Sequence, residues 1–324
     1  MRTLRSWFFF GSLVSLGLVA AVACTSEEKS NNPLDVSNDD GGKKRDSGGT
    51  SSSGGTDNDG GDSILEGGTG SGRVYAHTQD TLYLFDPTTK KLTTIGKFDC
   101  MNGDVVIDIA LDRSGAMFGT GFHKFISIDP SNAKCQLISE FTDGGYYPNS
   151  LTFIPIGALD DTKEALVGYR QFNASDSQAL FEDYMRIDPT TGDITAQGNL
   201  NQNGPTNGVY FDVSGDLIAL SKDNNRAYAV VRPDPTLDAG SLSKTTDYLA
   251  EIDPKTGAMK TLIGPTNQWQ TYGFGYWAGK GYGFSSDGRI TAIDMKTGAA
   301  TDVLTLDAGG GWYGAGVTTD SPVQ

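Results

Sequence analysis

From residue 73 to the C-terminus, apolar side chains fall in runs of four to seven positions divided by Gly, Asn and Asp. The runs are rich in aromatic and β-branched residues and alternate with the period of a strand, while apolar positions at helical spacing are hard to find. The stretch therefore reads as all-β. One unit is especially clear. Residues 106–111 form a first strand, Asp112-Arg113-Ser114-Gly115 a turn, 116–119 a second strand, 125–128 a third and 136–141 a fourth. Its opening recurs as residues 208–211, the turn Asp212-Val213-Ser214-Gly215 and residues 217–220, and again as 272–276 and 281–284.

Between the third and fourth runs of each unit stands a short phrase. It reads Phe85-Asp86-Pro87-Thr88-Thr89, Ile128-Asp129-Pro130-Ser131-Asn132, Ile187-Asp188-Pro189-Thr190-Thr191-Gly192, and Ile252-Asp253-Pro254-Lys255-Thr256-Gly257. A last copy, Ile293-Asp294-Met295-Lys296-Thr297-Gly298, lacks the proline. An Asp side chain can accept from backbone N–H groups further on, Pro presets φ at the next position, and Gly tolerates positive φ, so the phrase is a hairpin turn. Five copies of one hairpin in four-stranded units predict a five-bladed β-propeller. The first unit lacks its innermost strand, and residues 312–317 supply one patterned like 272–276. The two termini then share a blade, and the ring closes without an open sheet edge. Four or six blades stay open as alternatives, because the third and fourth units are long.

Their excess lies between the second and third strands, at residues 170–183 and 222–247. In a four-stranded blade that connection shares a face with the crossing into the next blade, so both insertions are expected over one mouth of the channel. Aligned starts of the innermost strands place Asp108, Asn149 with Ser150, Asn207, Tyr272, and Trp312 with Tyr313 at that mouth. Aromatic faces stack on apolar faces and amides bond hydroxyls, so the set suits a glycan, a peptide or a protein segment. A glycan hydrolase would need a second carboxyl beside Asp108, from Glu182 or Asp183. His77 falls in a strand and His123 in a hairpin loop, and no nucleophile elbow, P-loop or zinc spacing is present. A structural envelope protein with a plugged mouth is the third reading.

Composition changes the picture at the N-terminus. Arg2 and Arg5 precede an apolar run from Trp7 to Ala23, the pattern of an export signal over residues 1–23. Residues 25–72 are dominated by Ser, Gly, Asp, Asn and Lys, which cannot bury enough apolar surface to fold, so 24–72 reads as a disordered tether. Its r.m.s. reach is roughly 40 Å at about 5–6 Å × √n. The propeller takes residues 73–324. The chain has 25 Lys+Arg against 40 Asp+Glu, a net charge of −15, which argues against nucleic acid as a partner. Two histidines and three cysteines exclude the common zinc and iron–sulfur patterns, and no metal or cofactor is expected. In an exported chain Cys100 and Cys135 are expected to pair. The bond requires the segment 99–104 to fold down the outer side of the ring.

Two resemblances add to this. Ala21-Val22-Ala23-Cys24 resembles the lipobox of bacterial lipoproteins, which implies cleavage before Cys24 and its acylation, hence a membrane anchor. Thr25 at the next position implies sorting to the outer membrane. Ala21-x-Ala23 also fits an ordinary cleaved signal that would leave a secreted or periplasmic protein, and an uncleaved helix is a further alternative. The repeated I-D-P-x-T-G phrase after strand–turn–strand is similar to the β-propeller repeats of the YVTN and quinoprotein-like groups. It implies the fold, and many such chains are exported envelope proteins. The quinoprotein enzymes' tryptophan-docking repeats and catalytic Asp with calcium are not recognisable, so no quinone is implied. The expected function is a non-catalytic, lipid-anchored envelope protein that binds through one mouth.

Overall fold

Five four-stranded antiparallel sheets, built from twenty strands among the described residues, stand as the blades of a β-propeller. The computed structural model describes residues 73–142, 145–171, 181–235, 239–306 and 310–324. The export signal, Cys24, the tether and most of the 170–183 insertion lie outside them. Blade 1 holds β1 (Val74–His77), β2 (Thr81–Asp86) and β3 (Lys91–Lys97). Blade 2 is β4 (Asp108–Leu111), β5 (Met117–Thr120), β6 (Lys124–Ile128) and β7 (Cys135–Glu140). Blade 3 is β8 (Asn149–Ile154), β9 (Ala165–Gln171), β10 (Phe181–Ile187) and β11 (Ile194–Asn199). Blade 4 is β12 (Phe211–Leu220), β13 (Arg226–Pro233), β14 (Tyr248–Ile252) and β15 (Met259–Pro265). Blade 5 is β16 (Thr271–Trp277), β17 (Lys280–Ser285), β18 (Arg289–Asp294) and β19 (Ala300–Thr305). The last strand, β20 (Gly314–Gly316), pairs antiparallel with β1, Ala76 facing Ala315, and becomes the innermost strand of blade 1.

Burial grades outward as the sequence pattern demands. Every residue of β4 and of the ten-residue β12 is buried, whereas β3, β7 and β19 are exposed along much of their length. The core lies between neighbouring sheets. Val74, Phe85, Phe274, Phe284 and Trp312 pack blade 5 against blade 1, and Ala110, Phe125, Phe153 and Leu166 join blades 2 and 3. Each Val, Leu or Phe among them contributes roughly 1.5–3 kcal/mol when fully buried.

The Asp-opened turns form as expected between third and fourth strands. Asp86, Asp188 and Asp253 each accept through Oδ1 from the N–H two residues on, at 2.8 Å, and Asp129 and Asp294 do so at 2.9 Å. The copy at Asp294 shows that the carboxylate, not the proline, makes the turn. Cys100 and Cys135 are disulfide-bonded. The segment after β3 is drawn onto blade 2, where Asp99 accepts from Lys134 Nζ at 2.7 Å and Lys124 Nζ donates to Met101 O at 2.5 Å.

Blade 4 departs from the sequence reading. The expected turn at 212–215 lies inside β12, which runs unbroken from Phe211 to Leu220. Each turn-forming residue has found a different partner. Asp212 binds Arg232, Ser214 Oγ donates to Asp247 at 2.7 Å, and the β12–β13 register shifts between Val213 and Leu217, so a bulge absorbs the surplus residues. The true second strand, β13, comes from within the expected 222–247 insertion and shortens it to residues 234–247.

Candidate ligand site at the channel mouth

The innermost strands β4, β8, β12, β16 and β20 surround the channel, and three of them are bulged near their starts. In β8 the register against β9 shifts between Asn149 and Thr152, with Ser150 at φ 56°. In β12 the shift falls between Val213 and Leu217, and in β16 between Thr271 and Gly273. A bulge turns backbone N–H groups out of the ladder and re-aims them. In β8 the Leu151 N–H turns onto the carboxyl of Asp108, and the β12 bulge carries a second carboxyl, Asp216.

Asp108 and Asp216 are fully buried side chains, 0% and 1% exposed, that face one another within hydrogen-bonding reach. Asp108 Oδ1 accepts from Ile109 N–H at 2.6 Å, and its Oδ2 accepts from Leu151 N–H of β8. Asp216 Oδ2 accepts from Phe274 N–H of β16 at 3.0 Å and from Ala315 N–H of β20 at 2.7 Å. Between them the pair touches all five inner strands. Burial penalises charge on both groups and raises them above the usual carboxylate range, Asp216 further because it also faces the Asp108 carboxylate, with backbone N–H groups opposing the rise. His77 of β1 lies alongside. Its Nδ1–H donates to Thr78 O at 2.9 Å, its Nε2 has no hydrogen-bond partner among the described residues, and burial lowers it to about 4. Gly314 is required between these groups, since a Cβ there would lie 2.6 Å from both Asp108 Oδ1 and His77 Nε2.

Above this floor opens a cavity of about 340 Å³, lined by Ile107, Phe122, Tyr146, Tyr147, Asn149, Ser150, Val213, Ser214, Arg232, Tyr272 and Tyr313. Phe122 and Tyr313 are among the most exposed large apolar side chains described. Arg232 holds Asp212 through Nη2 at 2.7 Å and Nε at 3.1 Å. Asp247 lies behind the wall, accepting from Ser214 Oγ and from Thr271 N–H at 2.8 Å, and burial raises it too. Tyr313 also borders a wider depression of about 810 Å³ beside blades 1 and 2. Aromatic edges and faces, one amide and one guanidinium thus converge on a single concave surface. No group of three metal-ligating side chains occurs among the described residues.

The sequence-predicted mouth residues separate into two sets. Asn149, Tyr272 and Tyr313 line the cavity together with Ser150. Asp108 lies beneath it. Trp312 is wholly buried, its indole N–H donating to Gly288 O at 3.0 Å and its ring edge-on to Tyr83 and Phe284. Asn207 is exposed in the connection from β11 to β12 and does not line the cavity, because Val213 and Ser214 occupy the place that the alignment gave it. Asp183 accepts from Asn199 Nδ2 at 3.2 Å, and Glu182, half-buried and raised by that burial, neighbours Asn201 and Asn199; neither lines the cavity. Phe122, Tyr146, Arg232 and Asp216 were not singled out from the sequence. For Asp216 a signal existed: Asp108-Ile109-Ala110-Leu111 and Asp216-Leu217-Ile218-Ala219 share a carboxylate set directly before an apolar run.

The far end of the channel is crossed by the chain after β20. Ser221 N–H donates to Thr319 O at 2.9 Å, Lys222 Nζ to Asp320 O at 2.6 Å, and Ala278 N–H to Pro322 O at 2.8 Å. The Thr319 hydroxyl donates to Glu164, which also accepts from Arg113 N–H at 2.7 Å.

No protein-family model matches the chain. No curated protein matches it either. Among solved structures it is similar to a chain of the nidogen/laminin complex, at 9% identity and a TM-score of 0.46, covering 75% of this chain and 97% of that one. It is also similar to a gluconolactonase from Xanthomonas campestris, at 13% identity and a TM-score of 0.41, covering 72% of this chain and 70% of that one. Both are β-propeller proteins.

Proposed function

We propose that the chain is a lipid-anchored binding protein of the outer membrane, whose propeller captures a glycan through the aromatic mouth. The observation that carries this is the lining of the 340 Å³ cavity: Phe122, Tyr146, Tyr272 and Tyr313 around Asn149 and Arg232. Flat aromatic faces match the apolar faces of sugar rings, while the amide and guanidinium answer hydroxyls. The tail across the opposite end favours entry from this mouth. The anchor rests on Ala21-Val22-Ala23-Cys24, and the tether that follows would hold the mouth away from the lipid surface.

A glycan hydrolase is the alternative. It needs two carboxyls about 5–10 Å apart, both open to the substrate. Asp108 and Asp216 instead share hydrogen bonds beneath the floor, which favours binding over cleavage. A glycan array probed with the mature protein tests the reading. Tyr272→Ala and Tyr313→Ala should each weaken capture at least about tenfold, the worth of one stacking contact of roughly 1.4 kcal/mol, without moving the melting temperature. Retained capture in both variants overturns the mouth site. New reducing ends would establish the hydrolase, and capture of peptides alone would change the ligand class. Cys24→Ser should abolish fatty-acid labelling and release the protein from the membrane fraction; unchanged membrane retention would remove the anchor.

A further inference from the structure

The two buried carboxyl groups are not equivalent. Both oxygens of Asp108 already accept from backbone N–H groups, Oδ1 from Ile109 and Oδ2 from Leu151. Asp216 takes both of its N–H groups, from Phe274 and Ala315, on Oδ2 alone. Its Oδ1 receives no N–H among the described residues. Two ionised carboxylates cannot face each other out of water, and one proton between them removes the repulsion and supplies a hydrogen bond. The only oxygen free to carry that proton is Asp216 Oδ1.

We propose that a single proton, resident on Asp216 Oδ1 and donated to an ionised Asp108, pins the five inner strands together beneath the mouth. The bonds to the pair come from backbone a few residues behind the cavity lining. Leu151 follows the lining residues Asn149 and Ser150, Phe274 lies two residues after Tyr272, and Ala315 two after Tyr313. The proton therefore sets the spacing of the cavity wall, whatever ligand the mouth takes, and the inference stands apart from the glycan reading.

Few other titrating groups face the pair. β1 brings His77, already neutral at mildly acidic pH, and β16 brings Tyr272 and Tyr276, which burial holds above their ordinary range. β8 brings only Asn149, Ser150 and Thr152, and β20 only Gly314, Ala315 and Gly316. β12 also carries Asp212, neutralised by Arg232 of β13. Asp247, another buried acid, is turned onto Ser214 and Thr271.

The assignment makes the two isosteric amides behave oppositely. In Asp216→Asn, Oδ1 can accept from Phe274 and Ala315 while the NH2 group donates to Asp108, reproducing the protonated acid. In Asp108→Asn, the NH2 group must displace an oxygen that meets a backbone N–H, setting donor against donor. Thermal unfolding of the ligand-free protein from pH 5.5 to 8.5 reads the difference. Asp216→Asn should fold and melt progressively higher than wild type as pH rises, while Asp108→Asn melts lower than Asp216→Asn throughout or fails to fold. Infrared difference spectra at neutral pH should show a protonated carboxyl stretch in wild type that Asp216→Asn lacks. A constant melting gap between Asp216→Asn and wild type, failure of Asp216→Asn to fold, equal losses in both variants, or absence of that stretch in wild type would each overturn the proposal.

Discussion

His77 and the Asp108–Asp216 pair respond to acid in opposite senses. His77 lies at about 4 in the folded chain, below its unfolded value of about 6.5. Folding therefore expels a proton from it at low pH. Its contribution is complete above about pH 6.5 and is lost as pH falls toward 4, at about 1.4 kcal/mol per unit for one proton. The carboxyl pair behaves the other way. Burial and the facing carboxylate raise Asp216 well above the ordinary value near 4, so the folded chain keeps a proton there that the unfolded chain releases. That contribution is full below about pH 4 and is lost as pH rises through the raised range of the pair. His77→Gln removes the first titration. Relative to wild type it should gain about 2 kcal/mol on going from pH 7 to pH 5, read from denaturant midpoints, and a gap that does not change with pH would mean that His77 is hydrated in the folded protein. At this scale the sequence was partly legible. Asp108, Asn149, Tyr272 and Tyr313 followed from aligning strand starts, but Asp216 was hidden because the alignment ran a turn through residues 212–215. Arg232 was hidden because its strand lay inside what read as an insertion.

Elements whose identity rests on local chemistry were the easier ones to read. An Asp side chain bonding the N–H two residues on is a contact within one turn, so all five hairpins were visible without knowing what they pack against. Asp253→Ala removes the acceptor for both Lys255 and Thr256 N–H groups and should cost about 1 kcal/mol in chemical denaturation. β12 was the harder case. Asp212-Val213-Ser214-Gly215 has turn composition, and only the long-range partners Arg232 and Asp247 make it a strand. Those partners lie 20 and 33 residues away, beyond any local signal. The disulfide joins elements in a third manner. Cys100 trails the outer strand of blade 1 and Cys135 opens the outer strand of blade 2, so the bond ties neighbouring blades at their rims. In the chain-entropy model, closing a 35-residue loop stabilises by roughly 3–4 kcal/mol. Replacing both cysteines with serine should lower the melting temperature by on the order of 10 °C, and an unchanged melt would show that the rim is held by other contacts.

Closure of the whole ring depends on one short stretch at the end of the chain. That was legible because an incomplete first unit and a spare last strand can only be reconciled by bringing the termini together. The pattern does not reveal how many separate interactions converge there. Trp312 fills the seam between blades 5 and 1, and Ala315 N–H gives the Asp216 pin its bond to blade 1. Thr319, Asp320 and Pro322 then reach blades 2 to 5 across the far opening, through contacts with Arg113, Glu164, Ser221, Lys222 and Ala278. Loss of a buried tryptophan alone costs about 3–5 kcal/mol, against a total stability of about 5–15 kcal/mol for a whole domain. Removing residues 311–324 also leaves β1 as an unpaired inner edge and strips Asp216 of one of its two N–H donors. The truncated chain should therefore show no cooperative thermal transition and a collapsed near-ultraviolet dichroism. Adding a peptide of residues 310–324 should restore both, because the missing strand would meet a complete template of blade 1 backbone and the Trp312 socket. If the truncated chain instead melts cooperatively within a few degrees of wild type, the ring is held by its inter-blade packing alone and the terminal strand merely covers an edge.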